Sequence, residues 1–497
     1  MHAMRRLIPA ISILAAGFAT TALADPPRVA ATHHVGHFNG ETVPYTATVE
    51  ETFLADAKGA PAASVITIAY TREGVSDLAH RPVMFLFNGG PGASSSPLHT
   101  QALGPMIRGE RRSMAEPGGP PEGLHENPTS PLDAVDMVFI DPVATGFSRI
   151  LPGVDPKPYY TITGDALEVK QVIQGWLKAH HREASPRYLA GESYGTNRAA
   201  AIVRLSNDLP FDGVLLIAVA ANVPGNEMPY VTALPTMAAG AWYHQKIDRA
   251  GRTVAQTFDE ALNFARTEYV TALIKGGSLP PPDKHRIAVH MSALIGLPVE
   301  LIEKDDLRVS RNDYMFNLLK DKGLRTGLLD VTVTAPLEPG QEGAFDDPAL
   351  GVVPKRAPGA PAGPPPTPAQ VGAVPSPAVG AYITKELQFP ATGDYIGVNF
   401  LANSLWNYEG HPKDFEALAA TLRANPAMRL FWAGGYYDLT TPAYGARYTF
   451  DQAGVPAAQF TANYFPGPHG VYAGEANLKR FDAAVRAFVL HLPAPNP

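Results

Sequence analysis

"RYLAGESYG", residues 187–195, runs directly into "TNRAAAIVRLSND", residues 196–208. A short apolar, strand-like run ends in Gly191-Glu192-Ser193-Tyr194-Gly195, and a helix-like pattern follows at once. A serine with glycine two positions away on either side suits a sharp strand-to-helix turn, where the glycines relieve crowding and the hydroxyl stands at the tip. The spacing alone is a weak signal. With 45 glycines in 497 residues, chance supplies it in roughly one such chain in five. The strand before it and the helix after it give it weight.

The same rhythm recurs around this stretch. "VMFLFNGG" (83–90), "MVFIDPVATG" (137–146) and "GVLLIAVAAN" (213–222) are continuous apolar runs that end in glycine or polar turns. Runs without alternation suit strands buried on both faces of a parallel sheet. Between them Val169, Val172, Ile173, Trp176 and Leu177 mark one face of a helix. Upstream, "TVPYTATVEETFL" (42–54) and "ASVITIAYTREG" (63–74) alternate in part and flank the turn-forming "DAKGAPA", which predicts an antiparallel lead-in.

From residue 223 the rhythm gives way to helical segments such as "TFDEALNFARTEYVTALIKGG" (257–277), then to the proline-rich stretch 354–380. So much proline predicts an extended or disordered link without helix or inner strand. The α/β pattern resumes at "MRLFWAGGYYD" (428–438) and "FTANYFPGPHG" (460–470). It closes on a helix whose inner face is Leu478, Phe481, Val485 and Phe488. The expected organisation is a leader at 1–24, an α/β domain from 25–222 and 396–497, and an insertion at 223–395.

Composition sets limits. At 45% hydrophobic, with charges of both signs throughout, the chain can bury a large core. Arg5 and Arg6 precede an apolar run from Leu7 to about Ala19, and Ala22-Leu23-Ala24 follows. This reads as a secretory signal cleaved after Ala24; the run is well short of the ~20 apolar residues of a spanning helix. Removing residues 1–24, with two arginines and no acid, takes the formal charge from -7 to -9. That is a poor match for nucleic acid or anionic membrane as partner. There is no cysteine, so disulfides, thiolate nucleophiles and thiolate metal sites are excluded.

A serine hydroxyl needs a base to take its proton, and the base needs an acid to fix its tautomer. On hydrolase-type sheets these follow in the order Ser, Asp or Glu, His, each on a loop after a strand. Asp438 and His469 stand in those places. Each also has a plainer reading, Asp438 as a helix N-cap and His469 as a surface residue in a Pro-Gly turn. The glycines of "FNGGPGASS" (87–95) let backbone N–H groups approach a ligand, as a developing oxyanion requires. A phosphate loop is the rival, but the Walker lysine is absent. His33, His34 and His37 read as a solvated leader rather than a metal site. His180-His181 suit a helix C-terminus.

"NGGPGASS", "FIDPVATGFS", "GESYGT" and the Asp438 and His469 segments together resemble the serine carboxypeptidase family. The resemblance runs over about 80–222 and 395–490. It implies an α/β-hydrolase fold, a mostly parallel doubly wound sheet with an inserted helical cap, and removal of C-terminal residues from peptides; with the leader, this points to a bacterial enzyme that is secreted or periplasmic. By position, Ser193 resembles the nucleophile, His469 the base and Asp438 the orienting acid. The amides of Gly90 and Tyr194 resemble the oxyanion hole, and Asn88, Gly89 and Glu192 the groups that hold the substrate's terminal carboxylate. No metal or organic cofactor is called for.

Two departures stand out. A second glutamate of the family is Ala102 here, so the acid pair that binds a carboxylate is missing, with Gln101 or an acid of the insertion as possible substitutes. The cysteine after "GGPG" is Ala93. The departure at Ala102 keeps a serine esterase or acyltransferase open, and a non-catalytic binding protein remains a third reading. Because His469 must be neutral to act as base, the expected pH optimum is nearer neutral than acid.

Overall fold

The computed structural model describes residues 26–56, 58–108, 123–338, 347–350 and 367–493. The expected leader 1–24 and residues 354–366 of the proline-rich stretch lie outside them. The strands of the large sheet are β1 (Val29–Phe38), β2 (Glu41–Ala55), β3 (Pro61–Arg72), β4 (Val83–Phe87), β5 (Asp136–Asp141), β6 (Arg149–Ile150), β7 (Arg187–Glu192), β8 (Gly213–Ile217), β9 (Arg429–Gly435) and β10 (Phe460–Phe465). Their order across the sheet is β1-β2-β3-β5-β4-β7-β8-β9-β10, with β6 beside β3. The pairs from β5 to β10 are parallel, and the β1–β2–β3 lead-in is antiparallel. The longer helices are α1 (Ile162–Ala179), α2 (Gly195–Arg204), α3 (Met228–Tyr243), α4 (Val254–Phe264), α5 (Pro281–Ile295), α6 (Asp414–Ala424), α7 (Ala443–Ala453) and α8 (Glu475–Val489).

β4 shows why its sequence lacks alternation. Val83, Phe85 and Phe87 enter one apolar cluster, while Met84 and Leu86 enter the other on the opposite face. All five are fully buried. Helices cover both faces, so either side of the pleat must be apolar. α1 contributes Val169, Val172, Ile173, Trp176 and Leu177 to the first cluster. Its start is set by Thr161, whose hydroxyl accepts from the Gly164 amide at 2.9 Å. α8 closes the other face with Phe481, Val485 and Phe488.

Two expectations are corrected. His33, His34 and His37 lie on β1, not on a flexible leader, because β1 pairs with β2 along its whole length. His34 stacks on Tyr45 with ring centroids 5.2 Å apart, and His33 Nδ1 meets Glu73 at 2.7 Å. The end of the proline-rich stretch is also more regular than expected. It forms short helices at Pro368–Val371 and Pro377–Ala381, and a strand Ala373–Pro375 paired with Ile396–Asn399. Proline opens each helix, where its missing N–H costs nothing, and the strand sits in a two-stranded ribbon that asks little of its donors.

Among the described residues, none between β8 and β9 adds a strand to the large sheet. The stretch is mainly helical and packs on the first cluster through α3, whose Val231, Leu234, Met237 and Ala238 are buried. Among the described residues no helix is long and apolar enough to cross a membrane.

Candidate active site

Ser193 follows β7 directly and α2 begins at Gly195. Its φ is +60°, a left-handed conformation that costs a residue with a Cβ about 1–2 kcal/mol. Its amide donates to the Ile217 carbonyl at 3.0 Å, which ties the turn to the end of β8. Gly191 is needed because a Cβ there would lie 2.2 Å from the Gly195 carbonyl oxygen. A Cβ on Gly89 would lie 2.3 Å from the Tyr194 amide nitrogen, so the glycine loop after β4 and the serine turn are in backbone contact. Among the described residues no acceptor takes the amide of Gly90 or of Tyr194, which leaves both N–H groups for a ligand.

Asp438 follows β9 and His469 follows β10. His469 Nδ1 and Asp438 Oδ2 are 2.8 Å apart, with the carboxylate fully buried and the imidazole 4% exposed. Asp438 Oδ1 accepts the amides of Thr440 and Thr441, each at 2.9 Å. The Thr441 hydroxyl donates to Oδ2 and lies 3.2 Å from Nδ1. Asp438 is thus held by a turn of its own and is not the cap of α7, whose cap position is Pro442. Among the described residues the ring partners of His469 all act at Nδ1, and no hydrogen bond joins Nε2 to Ser193. Apo serine–histidine pairs are often loose until substrate closes them.

A strap from the inserted stretch crosses both loops. Val331 donates to the Tyr437 carbonyl at 3.0 Å, Leu439 donates to Leu328 at 2.8 Å, and His469 donates to Leu329 at 2.9 Å. Asp347 fastens the strap by accepting from the amides of Leu328 and Leu329 at 3.0 and 2.8 Å. No spacing in the sequence connects residue 329 with residue 469.

Glu192 and Asn88 are buried beneath the serine turn. Among the described residues, the hydrogen-bond partners of Glu192 are neither Gln101 nor an acid of the insertion. The Tyr472 hydroxyl donates to its Oε2 at 2.8 Å, and the Asn88 side chain bonds it as well. Asn88 Oδ1 in turn accepts from the Leu98 amide at 3.1 Å. Ala102 is buried with nothing to offer. Beside His469 opens a cavity of about 540 Å³, walled by Gln101, Asn127, Leu329, Pro468, Gly470 and Tyr472 among others.

Burial pushes the Glu192 carboxyl up to about 7, against His469, Tyr472 and Asn88, which favour its ionised form. Burial works against a charged His469, but Asp438, then Glu192 and Asp347, outweigh it and hold the imidazole above its ordinary 6.5.

The family model described as serine carboxypeptidase matches residues 70–206, a stretch that includes the glycine loop and Ser193 but neither Asp438 nor His469. Kex1, a prohormone-processing carboxypeptidase from Saccharomyces cerevisiae, is similar in structure at 13% identity, covering 89% of this chain and 90% of its own, with a TM-score of 0.53. A proline iminopeptidase from Mycobacterium smegmatis aligns at 13% identity over 89% of this chain and 98% of its own, with a TM-score of 0.36. No curated protein matches the sequence. Residues 70–206 thus match the serine carboxypeptidase family model, and the chain has the α/β-hydrolase fold.

Proposed function

We propose that the chain is a serine-type carboxypeptidase that cleaves C-terminal peptide bonds through an acyl-enzyme on Ser193, with His469 as base and Asp438 as its orienting acid. The observation that carries this reading is the buried contact of 2.8 Å between His469 Nδ1 and Asp438 Oδ2, on loops at the same sheet end as the Ser193 turn. With Nδ1 protonated toward Asp438, Nε2 is left as the acceptor. Ser193 Oγ attacks the scissile carbonyl while Nε2 takes its proton. The carbonyl oxygen becomes an oxyanion facing the amides of Gly90 and Tyr194. As the C–N bond breaks, Nε2 returns the proton to the leaving amine. Water then repeats the sequence on the ester and frees Ser193. The cavity beside His469 would receive the departing residue, near Glu192 and Asn88. Export through the leader at 1–24 is part of the same proposal.

Blocked dipeptides with free and with amidated C-termini test the specificity. The free acids should be cleaved at least about tenfold faster, the difference that 1.4 kcal/mol of selective binding provides. Equal rates would leave a serine hydrolase without the carboxypeptidase label.

The pH profile is a second test. Since His469 is raised above 6.5, the acid limb of kcat/KM should lie above that value, and activity is lost as pH falls through it. Glu192 contributes to the raised value, so Glu192→Gln should move the limb to lower pH. A limb that stays in place or moves upward in this variant would exclude the electrostatic link between the two.

A further inference from the structure

Behind the serine turn lies a buried ion pair that none of the bond-making steps uses. Arg198, on α2, is 1% exposed. Its Nε donates to Asp165 Oδ2 at 2.8 Å and its Nη1 donates to the Asn88 carbonyl at 2.5 Å. Its Cζ lies 5.3 Å from the centroid of the Phe87 ring and 5.4 Å from that of Tyr194. Asp165 Oδ2 accepts a second bond, from the Tyr194 hydroxyl at 3.2 Å. Asn88 stands two residues before Gly90, and Tyr194 follows Ser193. One guanidinium and one carboxylate therefore join the two segments whose amides face the site.

Burial raises the Asp165 carboxyl, and the charge and hydrogen bond of Arg198 and the Tyr194 hydroxyl oppose it. Glu168, close to Asp165 on α1, is pushed well above the ordinary carboxyl range by burial and by the charge of Asp165. It accepts the Val143 amide at 2.9 Å. Further along the glycine loop, Asp141 accepts from the Ser95 amide at 2.9 Å and from its hydroxyl at 2.7 Å. The loop is anchored at both ends by buried carboxylate chemistry. For stability alone, apolar groups of the same volume would serve as well as a buried ion pair. What the pair adds is a directed fork that reaches the Asn88 carbonyl and Asp165 at once.

We propose that Arg198, together with Asp165, is a positioning residue for the oxyanion hole: by holding the Asn88 carbonyl and the Tyr194 side chain it sets the spacing of the Gly90 and Tyr194 amides before substrate arrives. The inference rests on the function proposed above. Oxyanion donors act only when aimed in advance, and a misplacement of about 1 Å costs on the order of 100-fold in rate.

The test is kcat per active site, with sites counted by fluorophosphonate titration, for Arg198→Met and Arg198→Lys. Counting sites removes any loss due only to misfolded protein. The methionine variant should fall about 100-fold per titrated site with KM within threefold of wild type. Lysine keeps a charge for Asp165 but cannot fork to Asn88, so it should recover part of the loss, to about tenfold below wild type. Should Arg198→Met yield no folded protein, Tyr194→Phe, which removes only the hydroxyl contact to Asp165, should still lower kcat per site about threefold with KM unchanged. Per-site kcat within a factor of two of wild type in the folded arginine variants, or unchanged in Tyr194→Phe, overturns the inference. A wild-type chain inert toward both probe and peptides would instead overturn the functional reading beneath it.

Discussion

Ser193→Ala is expected to lower peptide hydrolysis roughly 10⁶-fold, the scale on which removing the nucleophile disables a serine–histidine unit. Covalent labelling by a fluorophosphonate should vanish with it. The fold should not suffer, because alanine inherits the same φ of +60° and loses only a half-buried hydroxyl. Ser193→Gly should be equally inactive yet more stable, by the roughly 1–2 kcal/mol that a Cβ costs in that conformation. Thermal melting measures this beside the rate. More than one per cent of wild-type activity in the alanine variant would mean that bond cleavage is carried elsewhere.

Asp438→Asn is the second large effect, and the hydrogen bonds around the carboxylate fix its direction. Oδ1 accepts two backbone amides, from Thr440 and Thr441. An asparagine must keep its carbonyl oxygen there, so its NH₂ group takes the place of Oδ2 and faces His469 Nδ1. Nδ1 then accepts, the proton moves to Nε2, and no lone pair remains to take the serine's proton. Thr441 can rotate its hydroxyl to accept from the new NH₂, so the loop stays in place. A loss of about 10⁴ in kcat is expected, because the imidazole is held in the wrong tautomer. Imidazole nitrogen NMR should show the proton on Nε2. A fall of less than tenfold would show that Asp438 does not control the histidine.

Local pattern carried much of the fold. Val83–Phe87 is apolar at every position because both faces of β4 are covered, and the glycines around Ser193 announced a turn too tight for a Cβ at Gly191. Asp438 and His469 were legible as residues after strands, in chain order with Ser193. What escaped had no local signature. Tyr472 reaches Glu192 across 280 residues, and Arg198 reaches Asn88 across 110. Such pairs arise from strand order, which spacing does not encode. The histidines of β1 misled because an N-terminal position suggests loose chain, whereas pairing along β2 fixes them. Proline in 367–380 misled in the other sense, since at a helix start it is permitted.

The inserted stretch is commonly the part a protein engineer would exchange to redirect a hydrolase toward new substrates. Here such a graft has a hidden boundary, because residues 328–331 brace the loops of Asp438 and His469 through four main-chain hydrogen bonds. A donor segment lacking an equivalent crossing would free the two loops from one another. Transplants must keep 328–331 and Asp347, and with them Arg311, whose Nη1 donates to the Leu439 and Thr440 carbonyls at 3.1 and 2.7 Å, and His244, whose Nε2 lies 2.6 Å from the Val331 carbonyl oxygen.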